Sequence, residues 1–288
     1  MNSDAFTSVK VVLITGASRG IGRACARILA DSGMKVYGTA RSVSQLPIDN
    51  ISAKKGNNIE ILQLDVCDDR SVAAVVGHIL EKEGRIDVLV NNAGFGIAGS
   101  VEDTDIDEAK SLFETNFFGV HRMIRAVLPQ MRIRKSGQII NIGSIMGLLT
   151  IPFQGFYASG KYALEALTET VRMEVAPLGI KVSIVEPGDT KTGFTQNRKV
   201  VLASGVQSAY AERCNASVKK MAEDEENGIA PEKVAKVVAD LITSKNPPLR
   251  KIVGMNYQCF ALAKKLFPAS LTEWCIRKLY DHLSFSNT

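Results

Sequence analysis

Histidine is scarce in this chain. His78, His121 and His282 are the only three in 288 residues, and they lie far apart. No short motif joins a histidine to a cysteine, so no metal centre is expected. Cysteine is sparse too: Cys25, Cys67, Cys214, Cys259 and Cys275 are odd in number and form no Cys-x-x-Cys. Scattered thiols fit a reducing compartment and argue against a disulfide framework. Nowhere does the sequence hold the roughly 18 uncharged apolar residues of a membrane-crossing helix. Met1 to Ser8 carries Asp4 and no basic stretch ahead of an apolar one, so it does not read as a secretory signal. The expected location is the cytoplasm. There is also no basic block. The net charge of +5 is spread through interleaved charges, too diffuse to argue for nucleic acid. No repeat with a period of roughly 20–50 residues is visible.

What is present is an ordinary globular composition, 45% hydrophobic and 23% charged, able to bury a substantial core. Short apolar runs alternate with helical patterns. Strands are expected at Val9–Thr15, Lys35–Ala40, Ile59–Leu64, Ile86–Val90, Gln138–Ile142, Lys181–Val185 and Lys251–Gly254. Helices are expected at Arg23–Ser32, Asp68–Glu83, over Asp103–Arg134 as one or two segments, at Gly155–Pro177, and from Pro231. This alternation predicts an α/β fold, a doubly wound Rossmann-type parallel sheet of about seven strands with helices on both faces. Gly188 to Gly228 is polar with weak periodicity, and its acidic run Glu223–Glu226 reads as a solvated helix end. We divide the chain into a domain over residues 1–254 and a C-terminal helical extension of the same domain over 255–288. The extension is expected as two helices over Met255–Ser284, split at Pro268.

Between the first strand and first helix lies Thr15-Gly16-Ala17-Ser18-Arg19-Gly20-Ile21-Gly22. Glycines here allow a tight turn and a close approach of backbone to a pyrophosphate, and the helix N-terminus offers aligned N–H groups. At the end of the second strand, NAD-binding proteins place an acid that takes the ribose 2′-hydroxyl. Here that acid is missing: Ala40 stands in its place and Arg41 follows. Arg19 and Arg41, with no carboxylate, suit a 2′-phosphate, so NADP(H) is the expected cofactor. Arg41 also fits a plain surface position after a strand.

Tyr157-Ala158-Ser159-Gly160-Lys161 places a phenol and an ammonium four residues apart, on one face if helical. Alone, the pair also fits an amphipathic helix with an exposed lysine. In order along the chain, however, stand the Thr15–Gly22 turn, Asp65-Val66, Asn91-Asn92-Ala93-Gly94, Asn116, Ser144, Tyr157-x-x-x-Lys161 and Pro187-Gly188. Residues 9–254 thereby resemble the short-chain dehydrogenase/reductase family. The resemblance implies that Tyr157 is the general acid/base and that Ser144 binds the substrate oxygen. It implies that Lys161 holds the nicotinamide ribose and depresses the Tyr157 pKa, and that Asn116 positions a relay water. Asp65 and Val66 would meet the adenine. Asn91, Asn92, Ala93 and Gly94 would support the cofactor and the central strand, and Pro187, Gly188, Thr190 and Thr192 would flank the nicotinamide. Where Thr190 stands, the family usually has a small aliphatic residue.

The implied reaction is hydride transfer between a ketone or aldehyde and an alcohol. The tail and Val36–Arg41 look like the hydroxysteroid, retinol and acyl-dihydroxyacetone-phosphate reductase branch. Met146, Leu148, Leu149, Ile151, Phe153 and Phe156 would line an apolar pocket or simply pack. A bulky lipophilic substrate is expected: a steroid, retinoid or acyl-glycerone lipid. Alternatives are a 3-oxoacyl or small-carbonyl reductase and, in another class, a non-catalytic NADP-binding regulator. The tail reads as a lid, a subunit interface or a peripheral membrane contact through Lys264, Lys265, Arg277 and Lys278, with the lid preferred. The resemblance also implies a homodimer or homotetramer.

Overall fold

The computed structural model describes residues 9–43 and 59–280. The N-terminal stretch Met1–Ser8 and the last four residues of the expected tail helices, 281–284, lie outside them. Seven strands form one parallel sheet: β1 (Val11–Ile14), β2 (Lys35–Ala40), β3 (Ile59–Gln63), β4 (Val88–Asn91), β5 (Gly137–Ile142), β6 (Ile180–Pro187) and β7 (Arg250–Val253). Their spatial order is β3-β2-β1-β4-β5-β6-β7, the doubly wound arrangement expected. The order reverses between β1 and β4, so a crevice opens beyond the carboxyl ends of these two strands. Open α/β sheets bind their ligands there.

Strand β1, and β4 up to Asn91, read as continuous apolar runs because both of their faces are covered, and β5 is buried likewise with Gln138 and Asn141 among its isoleucines. One face packs on α1 (Gly20–Asp31) and α7 (Pro231–Thr243), through Cys25, Leu29, Val234, Val238 and Leu241. The other packs on α2 (Asp69–Glu83), α4 (Gly119–Arg134) and α5 (Gly155–Val175), through Ile79, Met123, Val127, Leu164 and Val171. Each fully buried side chain of this size contributes roughly 1.5–3 kcal/mol.

Helix ends follow local chemistry. The long expected segment starts at Ile106 as α3 (Ile106–Phe113), not at Asp103, because Asp105 and Glu108 form a reciprocal capping box. Asp103 instead lies in the preceding turn and accepts from the hydroxyls of Ser204 and Ser208. Between α3 and α4 the chain makes one π-helical turn, Glu114–Phe118, with Asn116 buried at its centre. Such turns often mark functional positions. After α5, Ala176–Leu178 form a tighter turn, so the α-helix stops at Val175 and not at Pro177.

The polar stretch after β6 holds a short ribbon, Lys199–Val200 beside Ile97–Ala98, then α6 (Ala211–Glu226). The tail forms α8 (Met255–Leu266) and α9 (Ala269–Tyr280), parted at Pro268 as expected, and α9 packs against α6. Among the described residues no helix is long and apolar enough to cross a membrane. All five cysteines are free.

Candidate active site

The glycine turn is positioned from below. Gly16 and Gly20 adopt positive φ, 67° and 54°, which a side chain would strain. The Asn92 amide donates to the carbonyls of Thr15 (3.0 Å) and Gly16 (2.9 Å), while Thr15 Oγ1 accepts from the N–H groups of Asn92 and Ala93. A Cβ at Gly22 would collide with the Gly16 carbonyl, so Gly22 serves the turn's closure and does not face the cavity. Helix α1 then begins with no side-chain cap and no acid in its first turn. Its leading N–H groups are left for an anion, and the turn fits a pyrophosphate.

A single cavity of about 840 Å³ runs from this turn to Tyr157. Gly16, Ser18, Arg19, Gly20 and Ile21 line one end. Arg41, Asp65 and Val66 line its side, beyond β2 and β3. Asn92, Ala93 and Gly94 follow after β4, and Pro187, Gly188, Thr190 and Thr192 after β6. Thr192 sits against Gly20, where an added Cβ would lie 3.2 Å from its own, so the loop after β6 closes on the glycine turn. Asn91 is elsewhere. It is buried in the sheet, where its amide donates to Asn141 Oδ1 at 2.9 Å. Asn141 in turn donates to Thr168 Oγ1 at 2.9 Å. This buried relay ties β4 and β5 to α5, the helix that carries Tyr157 and Lys161.

Tyr157 and Lys161 share one face of α5 and are both buried. The Lys161 ammonium donates to the Ile142 carbonyl at 3.0 Å and lies 5.7 Å from the centre of the Tyr157 ring. Ser144 adjoins the phenol and favours its charged form. Its Oγ accepts from the Met146 N–H at 3.1 Å, which leaves the hydroxyl proton for an oxygen in the cavity. Asn116 also lines the cavity, but its amide is taken by the Phe95 backbone: Oδ1 accepts from N–H at 3.0 Å and Nδ2 donates to C=O at 2.8 Å.

Within the protein alone, burial pushes the Tyr157 phenol up to about 12. Ser144 and Arg198 oppose the rise, while Glu225 and Asp189 add to it. Burial pushes Lys161 down to about 8, and the Glu165 carboxylate one turn on opposes this. The expected depression of Tyr157 by Lys161 therefore differs from the outcome here. Desolvation of the buried phenol is the largest cause, and Lys161 is not among the groups that shift it.

Several cavity residues have no counterpart in the sequence reading. Phe194 packs on Tyr157 at a tilt, ring centres 5.7 Å and planes 60° apart. Asp189 accepts from the Tyr257 hydroxyl. Met221 and Glu225 of α6 line the wall, and Arg198 pairs with Glu225 from behind. The acidic run expected to be solvated thus turns one member inward. Of the apolar loop, Met146, Leu149 and Ile151 reach the cavity, whereas Leu148 and Phe156 pack beside it. From the tail, Phe260, Phe267, Leu271, Ile276 and Leu279 cover it. Weak helical periodicity in 188–228 gave no signal for these inward positions.

A family model described as short chain dehydrogenase matches residues 10–201. The 3-ketodihydrosphingosine reductase of Bacteroides thetaiotaomicron is 41% identical over 272 residues, covering 94% of this chain and 98% of that protein. A short-chain dehydrogenase from Streptomyces avermitilis, a solved structure, superposes with a TM-score of 0.82 at 37% identity, covering 93% and 96% of the two chains. ElxO, solved with NADP bound, gives a TM-score of 0.73 at 28% identity, covering 87% of this chain and 99% of its own.

Proposed function

The chain belongs to the short-chain dehydrogenase family, and from that premise we propose that it is an NADPH-dependent reductase of a long, lipophilic ketone. The observation that carries this is one continuous cavity. It joins an uncapped glycine turn to a buried Tyr157–Ser144–Lys161 group under an apolar roof.

In this reading the N–H groups of the Gly16–Gly22 turn hold the pyrophosphate, and Arg19 and Arg41 hold a 2′-phosphate. Asp65 and Val66 bound the adenine, and Thr190 and Thr192 bound the nicotinamide. Bound there, the dinucleotide supplies the hydride. The protein's task is at the substrate oxygen, where negative charge develops. Ser144 and Tyr157 donate to that oxygen together, and two aimed donors in a site shielded from water lower the barrier substantially. Tyr157, held protonated by burial, then gives up its proton. Lys161 stabilises the phenolate left behind and is itself oriented by the Ile142 carbonyl. Asn116, through its grip on Phe95, fixes the π-helical turn beside the cavity wall.

Support for a lipophilic substrate comes from the roof of Phe260, Phe267, Leu271 and Leu279, and from the relative named for 3-ketodihydrosphingosine reduction. The same roof favours the lid reading of α8 and α9. NADPH and NADH oxidation measured against long-chain ketones, steroids, retinals and short polar ketones tests the whole. NADPH with a long-chain ketone should be turned over fastest. Preference for NADH would defeat the roles of Arg19 and Arg41, and activity confined to short polar ketones would defeat the lipophilic chamber.

A further inference from the structure

Outside the cavity, between α5 and the sheet, lies a cluster of charges: Glu165 and Glu169 on α5, Glu186 on β6 and Arg250 on β7. The Arg250 guanidinium donates to Glu165 Oε2 through Nε at 3.0 Å and Nη2 at 2.5 Å, and to Glu169 at 2.7 Å. Its Nε lies 3.4 Å from Glu186 Oε1 without a hydrogen bond. Glu186 is fully buried, and Glu165 is 6% exposed. Neither oxygen of Glu186 has a hydrogen-bond partner, and neither does Oε1 of Glu165.

One guanidinium thus faces three carboxyl groups, two of them removed from water. A buried carboxylate without hydrogen bonds is costly to keep ionised. A proton on Glu186 relieves this cost. It cancels one buried charge and supplies an O–H for the unfilled acceptor on Glu165. Burial, reinforced by Glu165, pushes Glu186 up to about 9 against the pull of Arg250. The other charged groups on these elements are turned elsewhere. Glu169 is half-exposed. Lys251 points to the opposite strand face from Arg250 and is exposed. Arg172 donates to the Val182 and Pro247 carbonyls, and Lys181 to the Ser244 carbonyl. On α8, Lys264 donates to the Leu148 carbonyl and Tyr257 to Asp189.

The cluster meets the active site at three points. Glu165 stands one helical turn after Lys161, on the same face of α5. Its charge works against loss of the Lys161 proton. A Cβ at Gly147 would lie 3.1 Å from Glu165 Cγ, so the Ile145–Gly147 turn that Ser144 caps rests on this side chain. Glu186 immediately precedes Pro187 and Gly188 of the cavity wall.

We propose that Glu165, Glu186 and Arg250 form a buried unit with one shared proton, and that Glu165 is a positioning residue that acts through Lys161. Arg250 fixes Glu165 as the ionised member, and its charge keeps the Lys161 ammonium protonated. Glu186 carries the proton. Without that proton, two buried carboxylates would compete for Arg250, and Glu165 would be drawn away from the Ser144 turn. The action through Lys161 rests on the reductase reading above.

Two measurements test this. Infrared spectra of the whole protein report the C=O stretch of protonated carboxyl groups and need no substrate. The wild type should show such a band at neutral pH and lose it near pH 9. Glu186→Gln should remove the band from the neutral spectrum. No band in the wild type at neutral pH, or a band unaltered by Glu186→Gln, would overturn the shared proton. The second measurement is the pH profile of kcat/KM for NADPH-dependent reduction of a long-chain ketone. In Glu165→Gln its alkaline limb should move toward lower pH by about one unit, the size of shift one close charge produces. Glu165→Asp should bring the limb back. Glu169→Gln makes the same charge change at the half-exposed end and should leave the limb in place. A slower Glu165→Gln enzyme with an unmoved limb would mean a merely structural role and overturn the link to Lys161. Absence of any ketone reduction by the wild type would overturn the reductase reading, with the infrared result still deciding the shared proton. The wild-type infrared titration needs no variant, so misfolding of a substitution leaves a decision standing.

Discussion

At the Gly16–Gly22 turn the cavity wall is mostly main chain, while around Tyr157 it is mostly side chains drawn from five separate segments. The first region depends on what is missing: no Cβ at Gly16, Gly20 or Gly22, and no acid at the start of α1. The second depends on particular groups: a tilted Phe194, two inward acids and an apolar roof. A surface of backbone recognises what all dinucleotides share, whereas a surface of side chains can be re-specified one residue at a time. Tyr157 and Lys161 sit on the seam between the two, held by the Asn91–Asn141–Thr168 relay that belongs to the sheet.

The largest effect should appear at that seam. Tyr157→Phe removes the proposed proton donor, and kcat should drop by about 10²–10⁴-fold. Stopped-flow or steady-state NADPH oxidation with a long-chain ketone measures it, and near-normal turnover would show that the proton comes from elsewhere. Next, Gly22→Ala forces a Cβ onto the Gly16 carbonyl. Overpacking of this kind costs about 1–3 kcal/mol, so nucleotide affinity should collapse and the melting temperature should drop by several degrees. Unchanged NADPH binding by fluorescence titration would remove the turn from the cofactor half.

The pH dependence sharpens the seam further. In the proposed mechanism, reduction needs Tyr157 protonated and Lys161 charged. With burial holding the phenol up to about 12 and the ammonium down to about 8, Lys161 is the first to lose its proton. The kcat/KM for NADPH should be level below pH 8 and fall about tenfold per unit above it. The sign for stability is opposite. The folded pKa of Lys161 lies below its ordinary 10.5, so its contribution to stability rises between about pH 8 and 10.5. Denaturation and rate profiles measured side by side check both slopes. The smallest effect belongs to the roof. Phe260→Ala removes a half-exposed wall and should raise KM for the long-chain ketone roughly fivefold, about 1 kcal/mol of apolar contact. An equal rise for a short ketone would mean that the roof does not read chain length.

This contrast also sets what could be read in advance. The seven strands, the glycine turn and Arg41 without an acid were legible because each rests on local chemistry, whereas Ser144, Tyr157 and Lys161 were legible only through the ordered set of motifs that resembles the family. The start of α3 was missed by three residues because Asp103 and Asp105 look alike as caps, and only Glu108 decides between them. The π-helical turn at Asn116 leaves no periodic trace in so short a span. Glu225 was hidden for another reason. A run of acids at a helix end looks solvated until tertiary packing turns one of them inward, toward Thr195 and Arg198.

Gly188 illustrates how the two regions are joined. A Cβ there would collide with the ring of Tyr257, two positions into α8. The chain reaches that helix through Gly254, at φ 108°. Residues 255–280 are thus keyed to the body by an aromatic ring laid on a bare backbone, with Lys264 on the Leu148 carbonyl and Tyr280 beside Asp224 as further ties. A donor tail spliced at this glycine would bring a new roof, and with it a new repertoire of ketones, to unchanged hydride chemistry, provided it carries a tyrosine in the same place and remakes those ties.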